Sequence, residues 1–241
     1  MKTIRLLLLS FLAIAFTGNV SGQTADEIIG KYVQAIGGKE RLSKISSVYT
    51  EGSLEVMGMQ GSIKTFTVNG KGSRQDIDIN GTTIVSCYGE KEGWGINPMA
   101  GSGSAETMPQ EQYNAGKDGI DVGGMFVDFT AKGYKAELLG NETIAGANTF
   151  KMRITSPDNI VTLHYFDATT FYLVRTVQQT EMQGQMTESI ITYSDYKDSE
   201  NYIMPYKMEM DMAGGQFIMV ITFSKLEIDK PIDAAIFAKP I

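Results

Sequence analysis

The sequence is poor in the side chains on which most enzymes and metal sites depend. Its 241 residues hold one histidine, His164, and one cysteine, Cys87. A lone cysteine excludes an internal disulfide. With no His pair, no Cys pair and no calcium-loop spacing, no metal site is expected. Basic residues are also short: 21 Lys and Arg stand against 28 Asp and Glu, a net charge of −7. That balance does not suit nucleic acid or an anionic membrane surface, and neither is expected as a partner. No cofactor is expected either. Gly101-Ser102-Gly103 is not followed by a helix start with a phosphate-loop lysine. Scarcity of this kind points away from catalysis and towards binding by shape and apolar surface.

Residues 1–22 read as a signal peptide. Lys2 and Arg5 form a charged start, and Leu6 to Phe16 form an apolar core too short to remain as a membrane span. Val20-Ser21-Gly22 offers small residues for cleavage, leaving Gln23 first. Cys87 lies far from that region, so a lipid anchor on the chain itself is not expected. The signal takes two basic residues and no acidic ones, which moves the charge from −7 to −9. The 219 residues left are enough for one sizeable core, and no composition break marks a linker. One domain over 23–241 is the expectation.

One short helix opens that domain. Thr24 and Glu27 have capping-box spacing, Ile28, Tyr32 and Ile36 form an apolar stripe, and Gly37-Gly38 ends it. A second helical turn is expected over 39–44, with Leu42 and Ile45 facing inward. From Ser46 the pattern changes to period two. Residues 48–59 read as one strand or a bent pair. Asn69-Gly70 and Asn80-Gly81 read as hairpin turns, the second placing Ile77 opposite Ile84. Residues 89–122 break the rhythm: 95–104 looks like loop, 108–115 like a short helix, and 125–129 like its extension or a second helical turn. Strands are expected again over 134–139, 148–155, 160–166, 171–182, 185–196, 202–212 and 216–228, with turns at Gly140-Asn141, Pro157-Asp158-Asn159 and Gly214-Gly215. The fold class is mainly β with a few helices, an α+β arrangement.

Few residues invite a chemical role. His164 shares a strand face with Thr162 and Phe166, and no acid or nucleophile is placed beside it, so an ordinary strand histidine is expected. Cys87 follows Val85 on a strand and reads as a small buried hydrophobe. Asp195, Asp198 and Glu200 cluster near a turn as solvated carboxylates. The two Asn-X-Thr sequons, at Asn80 and Asn141, mean only turns. No enzyme activity is expected.

Methionine is abundant, with fourteen in the chain. A hairpin at Gly214-Gly215 pairs Met212 with Phe217, Met210 with Met219, Met208 with Ile221 and Tyr206 with Phe223. All eight then share one apolar face, while Lys207, Glu209 and Asp211 lie on the other. Flexible, polarizable methionine suits a surface that accepts varied apolar partners. These eight are the candidate lining of an apolar ligand hollow. A packed core against the helices would give the same pattern.

Several segments carry a likeness to a known family: the signal peptide, the opening helix from Ala25 to Leu42, the Gly93-Trp-Gly-Ile-Asn-Pro-Met-Ala-Gly101 segment, and the tail from Tyr206 to Asp233. The chain resembles the bacterial outer-membrane lipoprotein-sorting proteins, the LolA/LolB-like lipoprotein carriers. The resemblance implies an open antiparallel β half-barrel capped by short helices. It implies a monomeric periplasmic carrier that holds the acyl chains of lipoproteins or other lipids and ferries them towards the outer membrane. An inner-membrane donor and an outer-membrane acceptor would be its partners. The family's gating arginine is not placed by Arg41, Arg74, Arg153 or Arg175, the only arginines after the signal. The alternative function is a non-catalytic cell-envelope binding or scaffold module of the same fold with a filled core.

Overall fold

Period-two apolar spacing over most of the chain gives strands, and short Gly, Asn and Asp turns give antiparallel hairpins. The computed structural model describes residues 23–182, 185–212 and 214–240. The stretch read as a signal peptide, residues 1–22, lies outside the described residues. Helix α1, Ala25–Ala35, is followed by α2, Lys39–Lys44. The capping box at its start is formed: Glu27 N donates to Thr24 Oγ1 at 3.2 Å and Thr24 N to Glu27 Oε2 at 2.9 Å.

Six strands then meander outward: β1 Ser47–Val56, β2 Met59–Val68, β3 Gly72–Ile79, β4 Thr82–Gly89, β5 Gly93–Asn97 and β6 Ser102–Thr107. After a bridge containing α3, Gln110–Gly116, seven more follow: β7 Lys135–Ile144, β8 Ala147–Thr155, β9 Val161–Asp167, β10 Leu173–Met182, β11 Gln185–Ser199, β12 Tyr202–Met212 and β13 Phe217–Ile228. All thirteen form one antiparallel sheet in the order β6-β5-β4-β3-β2-β1-β13-β12-β11-β10-β9-β8-β7. Only β1 and β13 are joined without being neighbours in sequence. The edges β6 and β7 do not pair, so the sheet stays open, as the mainly-β half-barrel reading requires.

That topology dictates where the bridge goes. The chain leaves the sheet at one edge, β6, and must re-enter at the other, β7. Residues 108–134 therefore cross the hollow side of the curved sheet, where α1 already lies. Phe126 and Phe129 from the bridge, with Ile28 and Ile29 from α1, pack on Met152, Ile154, Phe166 and Leu173 of β8–β10. Tyr32 meets Phe126 and Phe166 edge-on, with ring centroids 5.0 and 5.3 Å apart. Such pairs add to the apolar burial that holds a short helix in place.

Curvature is written at particular glycines. At Gly52 the register of β1 against β13 shifts, and a Cβ there would sit 2.4 Å from Thr222 O. At Gly37, with φ +127°, a Cβ would sit 2.3 Å from Asn201 O, so only glycine lets α1 end against the β11–β12 turn.

Two sequence expectations need correction. The 95–104 stretch is not loop: β5 and β6 flank a single 3-10 turn, Pro98–Ala100. Tertiary context decides it, because Trp94 pairs with Cys87, is buried, and donates its Nε1–H to Phe237 O at 2.8 Å. Gly140-Asn141 is not a turn but lies inside β7, where the register shifts between Leu138 and Gly140. The turn comes at Ala145-Gly146, both at positive φ. A bulge and a hairpin share the same Gly signal.

Candidate functional site

Under the bridge lies a cavity of about 440 Å³, within the usual range for a small-ligand site. Its floor comes from four strands. Thr162 and His164 of β9, Leu173, Thr176 and Gln178 of β10, Ile191, Tyr193 and Tyr196 of β11, and residues 202–205 of β12 all face it. Its roof is Tyr32 of α1 and Ile36 just past its end, with Ala115, Asp118 and residues of the 119–126 segment.

The floor is uncharged. Burial pushes the His164 imidazole down to about 3, so it is neutral at ordinary pH. Its partners are two hydroxyls: Thr162 Oγ1 lies 2.8 Å from Nε2 and Thr176 Oγ1 3.5 Å from Nδ1. Neither can act as the acid partner that a catalytic base would need. Burial likewise pushes Tyr202 up to about 12 and raises Tyr32 and Tyr196 well above the usual phenol range. Tyr196 stacks on Tyr172 at 4.3 Å and donates to Leu173 O at 2.6 Å. These phenols present rings and fixed dipoles to the cavity, not charge.

The roof is pinned through polar contacts along the bridge. Val122 N donates to Asn69 Oδ1 at 3.0 Å and Gly70 N to Ile120 O at 2.9 Å. Lys132 Nζ holds both Asp121 Oδ2 and Gly124 O at 2.7 Å. Lys117 reaches Asp158 at 2.6 Å, and Tyr134 donates to Asp118. Partly exposed ion pairs of this kind contribute little individually and can be exchanged.

The eight residues singled out from the sequence lie beside this cavity, not in its wall. Six pairings of the β12–β13 hairpin are as read from the turn, from Lys207–Thr222 to Met212–Phe217, while the expected Tyr206–Phe223 pair lies beyond the end of that ladder. Met208, Met210, Phe217, Met219 and Phe223 are half-buried around Ile221, against Leu54, Val56, Ile63 and Ile79. Phe223 lies opposite Gly52 of β1. Tyr206 carries Lys197 Nζ 4.6 Å above its ring, and Met212 ends its strand half-buried. The ribbon nonetheless continues the cavity floor. Met208 lies directly opposite Tyr193 and Met210 opposite Ile191, and opposed residues of an antiparallel pair share a face.

Sequence reasoning missed Tyr193, Tyr196 and Tyr202 as cavity residues. Ile191 and Tyr193 alternate and could have been found. Tyr196 is out of phase, because Asp195 sits at φ +54° and breaks the alternation. Cys87 is fully buried, and burial pushes its thiol up to about 11. None of the four arginines lines the cavity. Arg41 bonds Glu200 O and Asp229, Arg74 bonds Asp76 and Ile236 O, Arg153 bonds Glu137, and Arg175 Nε has no hydrogen-bond partner among the described residues.

No family model matches the chain, and no curated protein matches it by sequence. Solved structures do match. A LolA superfamily protein from Nitrosomonas europaea superposes over 90% of this chain and 99% of its own, with TM-score 0.61 and 15% identity. A DUF1329 family protein from Desulfovibrio piger matches over 90% of this chain and 98% of its own, also at TM-score 0.61 and 15% identity. An outer membrane lipoprotein-sorting protein domain from Vibrio parahaemolyticus matches over 88% and 95%, at TM-score 0.57 and 15% identity. At that identity the likeness is one of fold, and the open thirteen-stranded sheet with its helical roof is the LolA-like fold.

Proposed function

We propose that this chain is an exported, non-catalytic carrier that holds acyl chains of lipoproteins or other lipids in the hollow of its sheet. Residues 23–241 act as one LolA-like half-barrel domain, monomeric and periplasmic, released from its signal peptide. The observation that carries the reading is the cavity beneath the bridge, whose sheet floor is uncharged and runs on into a half-exposed methionine ribbon on the same sheet face. The fold is shared with a LolA superfamily protein and with a domain whose name speaks of outer membrane lipoprotein sorting. An acyl chain gains about 0.8 kcal/mol per buried CH₂, on the order of 10 kcal/mol for sixteen carbons, which matches what a bilayer offers. A carrier that matches the membrane can both load and unload. The ribbon Tyr206, Met208, Met210, Met212, Phe217, Met219, Ile221 and Phe223 serves as the open part of the hollow and the tyrosine-walled cavity as its covered part. A donor at the inner membrane and an acceptor at the outer membrane complete the route.

The test is chemical. Protein purified from its native envelope is extracted and the extract analysed by mass spectrometry. Acyl lipid near one equivalent per chain is expected. Protein that carries none, and after delipidation binds no uncharged fluorescent dye such as N-phenyl-1-naphthylamine, would refute the carrier and leave the filled-core module.

A further inference from the structure

The covered cavity shares walls with two further spaces away from the methionine ribbon. A throat of about 60 Å³ shares Asp118, Met125, Thr162 and Gln178 with the cavity. The throat in turn shares Ala115, Ile160 and Gln178 with an outer groove of about 950 Å³. Gln178 borders all three spaces. The groove lies between α3 and the start of β9, where β10 runs on past β9.

The groove has a definite chemistry. Gln112, Asn159 and Gln178 supply amide donors and acceptors, Gln179 supplies an amide whose Nε2 already donates to Glu188 at 2.8 Å, and Ile160 and Val161 supply apolar surface. Its one cation, Arg153, is paired with Glu137, and Glu111 adds an unbalanced negative charge. Further in, Asp118 and Asp121 face the cavity, and the nearby Lys117 and Lys132 are taken up by Asp158 and Asp121. Among the described residues, then, no unpaired cation faces any of the three spaces. The chain as a whole carries −7. An anionic head would meet Glu111 and, as its one cation, an Arg153 already shared with Glu137. Amide side chains instead match hydroxyl and amide groups, which both give and accept hydrogen bonds.

We infer that the groove takes an uncharged, hydrogen-bonding lipid head, with the acyl chain entering through the throat, and that the site discriminates against anionic amphiphiles. This rests on the acyl-carrier reading. Two sources share the chemistry, the hydroxyls of a glycerol and the amides of an acylated peptide.

The experiment is displacement of N-phenyl-1-naphthylamine from the delipidated full chain at pH 8 by four ligands with one common sixteen-carbon chain. Monopalmitoylglycerol and a palmitoylated dipeptide amide are uncharged; palmitate and the matching lysophosphatidic acid are anions. The uncharged pair should compete about tenfold or more tightly than the anions, and the better of the two names the source. Gln178→Lys, which places a free cation at the throat, should raise palmitate affinity about tenfold and leave monopalmitoylglycerol within about threefold. Equal affinity for all four, or a Gln178→Lys variant with no gain for palmitate, overturns the head assignment and leaves acyl binding standing. Displacement by none of the four overturns acyl binding itself.

Discussion

Met210→Glu separates a lined hollow from a packed core. Met210 faces Met219 on β13 and Ile191 on β11, half-buried in the ribbon cluster. Full burial of a methionine is worth about 1.5–3 kcal/mol, so losing a half-buried one costs about 1 kcal/mol. A carboxylate placed there is partly dehydrated, which adds about 1–3 kcal/mol and raises its pKa. The total, about 2–4 kcal/mol, is less than the 5–15 kcal/mol that holds a typical domain folded. The variant should therefore fold with a lowered melting temperature. An acyl chain laid against the new carboxylate would complete its dehydration, and a penalty of about 2–3 kcal/mol is a loss of roughly thirty- to a hundredfold in affinity. Thermal melting and N-phenyl-1-naphthylamine binding are measured on the same sample, with Met210→Leu as the volume control and Glu209→Gln as the control on the exposed face. A folded Met210→Glu protein with undiminished binding would remove the ribbon from the site. A protein that fails to fold while Met210→Leu melts normally would make the ribbon a dry core.

Four further outcomes follow from the structure. His164 is protonated near 6.5 in an unfolded chain but only at about 3 when folded, so the unfolded state binds more protons between those values and stability falls as pH drops through that window. The loss is about 2 kcal/mol at pH 5, and denaturant midpoints at pH 7.5 and 5 should show it in the wild type and not in His164→Asn, which should still bind ligand. Cys87, buried with its thiol raised to about 11, should react with a disulfide reagent at pH 8 only as fast as the protein unfolds; rapid labelling of native protein would contradict the burial. Thr24→Ala removes the hydroxyl that caps α1 and should cost about 1 kcal/mol in a denaturant melt. The exported protein should begin at Gln23, cyclised to pyroglutamate; an intact mass that retains residues 1–22, or carries a diacylglyceryl group, would refute cleavage there.

The parts of the fold legible in the sequence were those whose signals are local. The α1 capping box lies within four residues, and the Asn80-Gly81 turn alone sets Ile77 opposite Ile84. The methionine ribbon was legible for the same reason, since one turn fixes six pairings. What escaped depends on contacts far apart in the chain. Trp94 makes β5 a strand only because Cys87 and Phe237 meet it. The cavity draws its walls from Tyr32 at one end of the sequence to Pro205 near the other, and Asp195 shifts Tyr196 out of the alternation that would have revealed it.

The same topology assigns the moving part. Strands β9–β12, which floor the cavity, are each hydrogen-bonded on both sides within the sheet, so the floor cannot yield without breaking ladders. The roof is different. It belongs to the one connection that must leave the sheet at β6 and return at β7, and besides its buried side chains it is held by Lys117–Asp158, Lys132–Asp121, the bond from Val122 N to Asn69 Oδ1 and the backbone bond from Gly70 N to Ile120 O. Each partly exposed ion pair is worth at most about 1 kcal/mol, whereas a sixteen-carbon chain beneath the roof is worth on the order of 10 kcal/mol. Phe126, Val127 and Phe129 of the bridge are buried and cost about 1.5–3 kcal/mol each to expose, so on the proposed carrier reading an acyl chain can displace the clamped part of the bridge without unfolding the sheet. Removing both clamps, in Lys117→Ala with Lys132→Ala, should speed dye entry and exit about equally and leave the equilibrium affinity nearly unchanged. A large change in affinity at constant exchange rate would mean that the clamps shape the site and do not gate it.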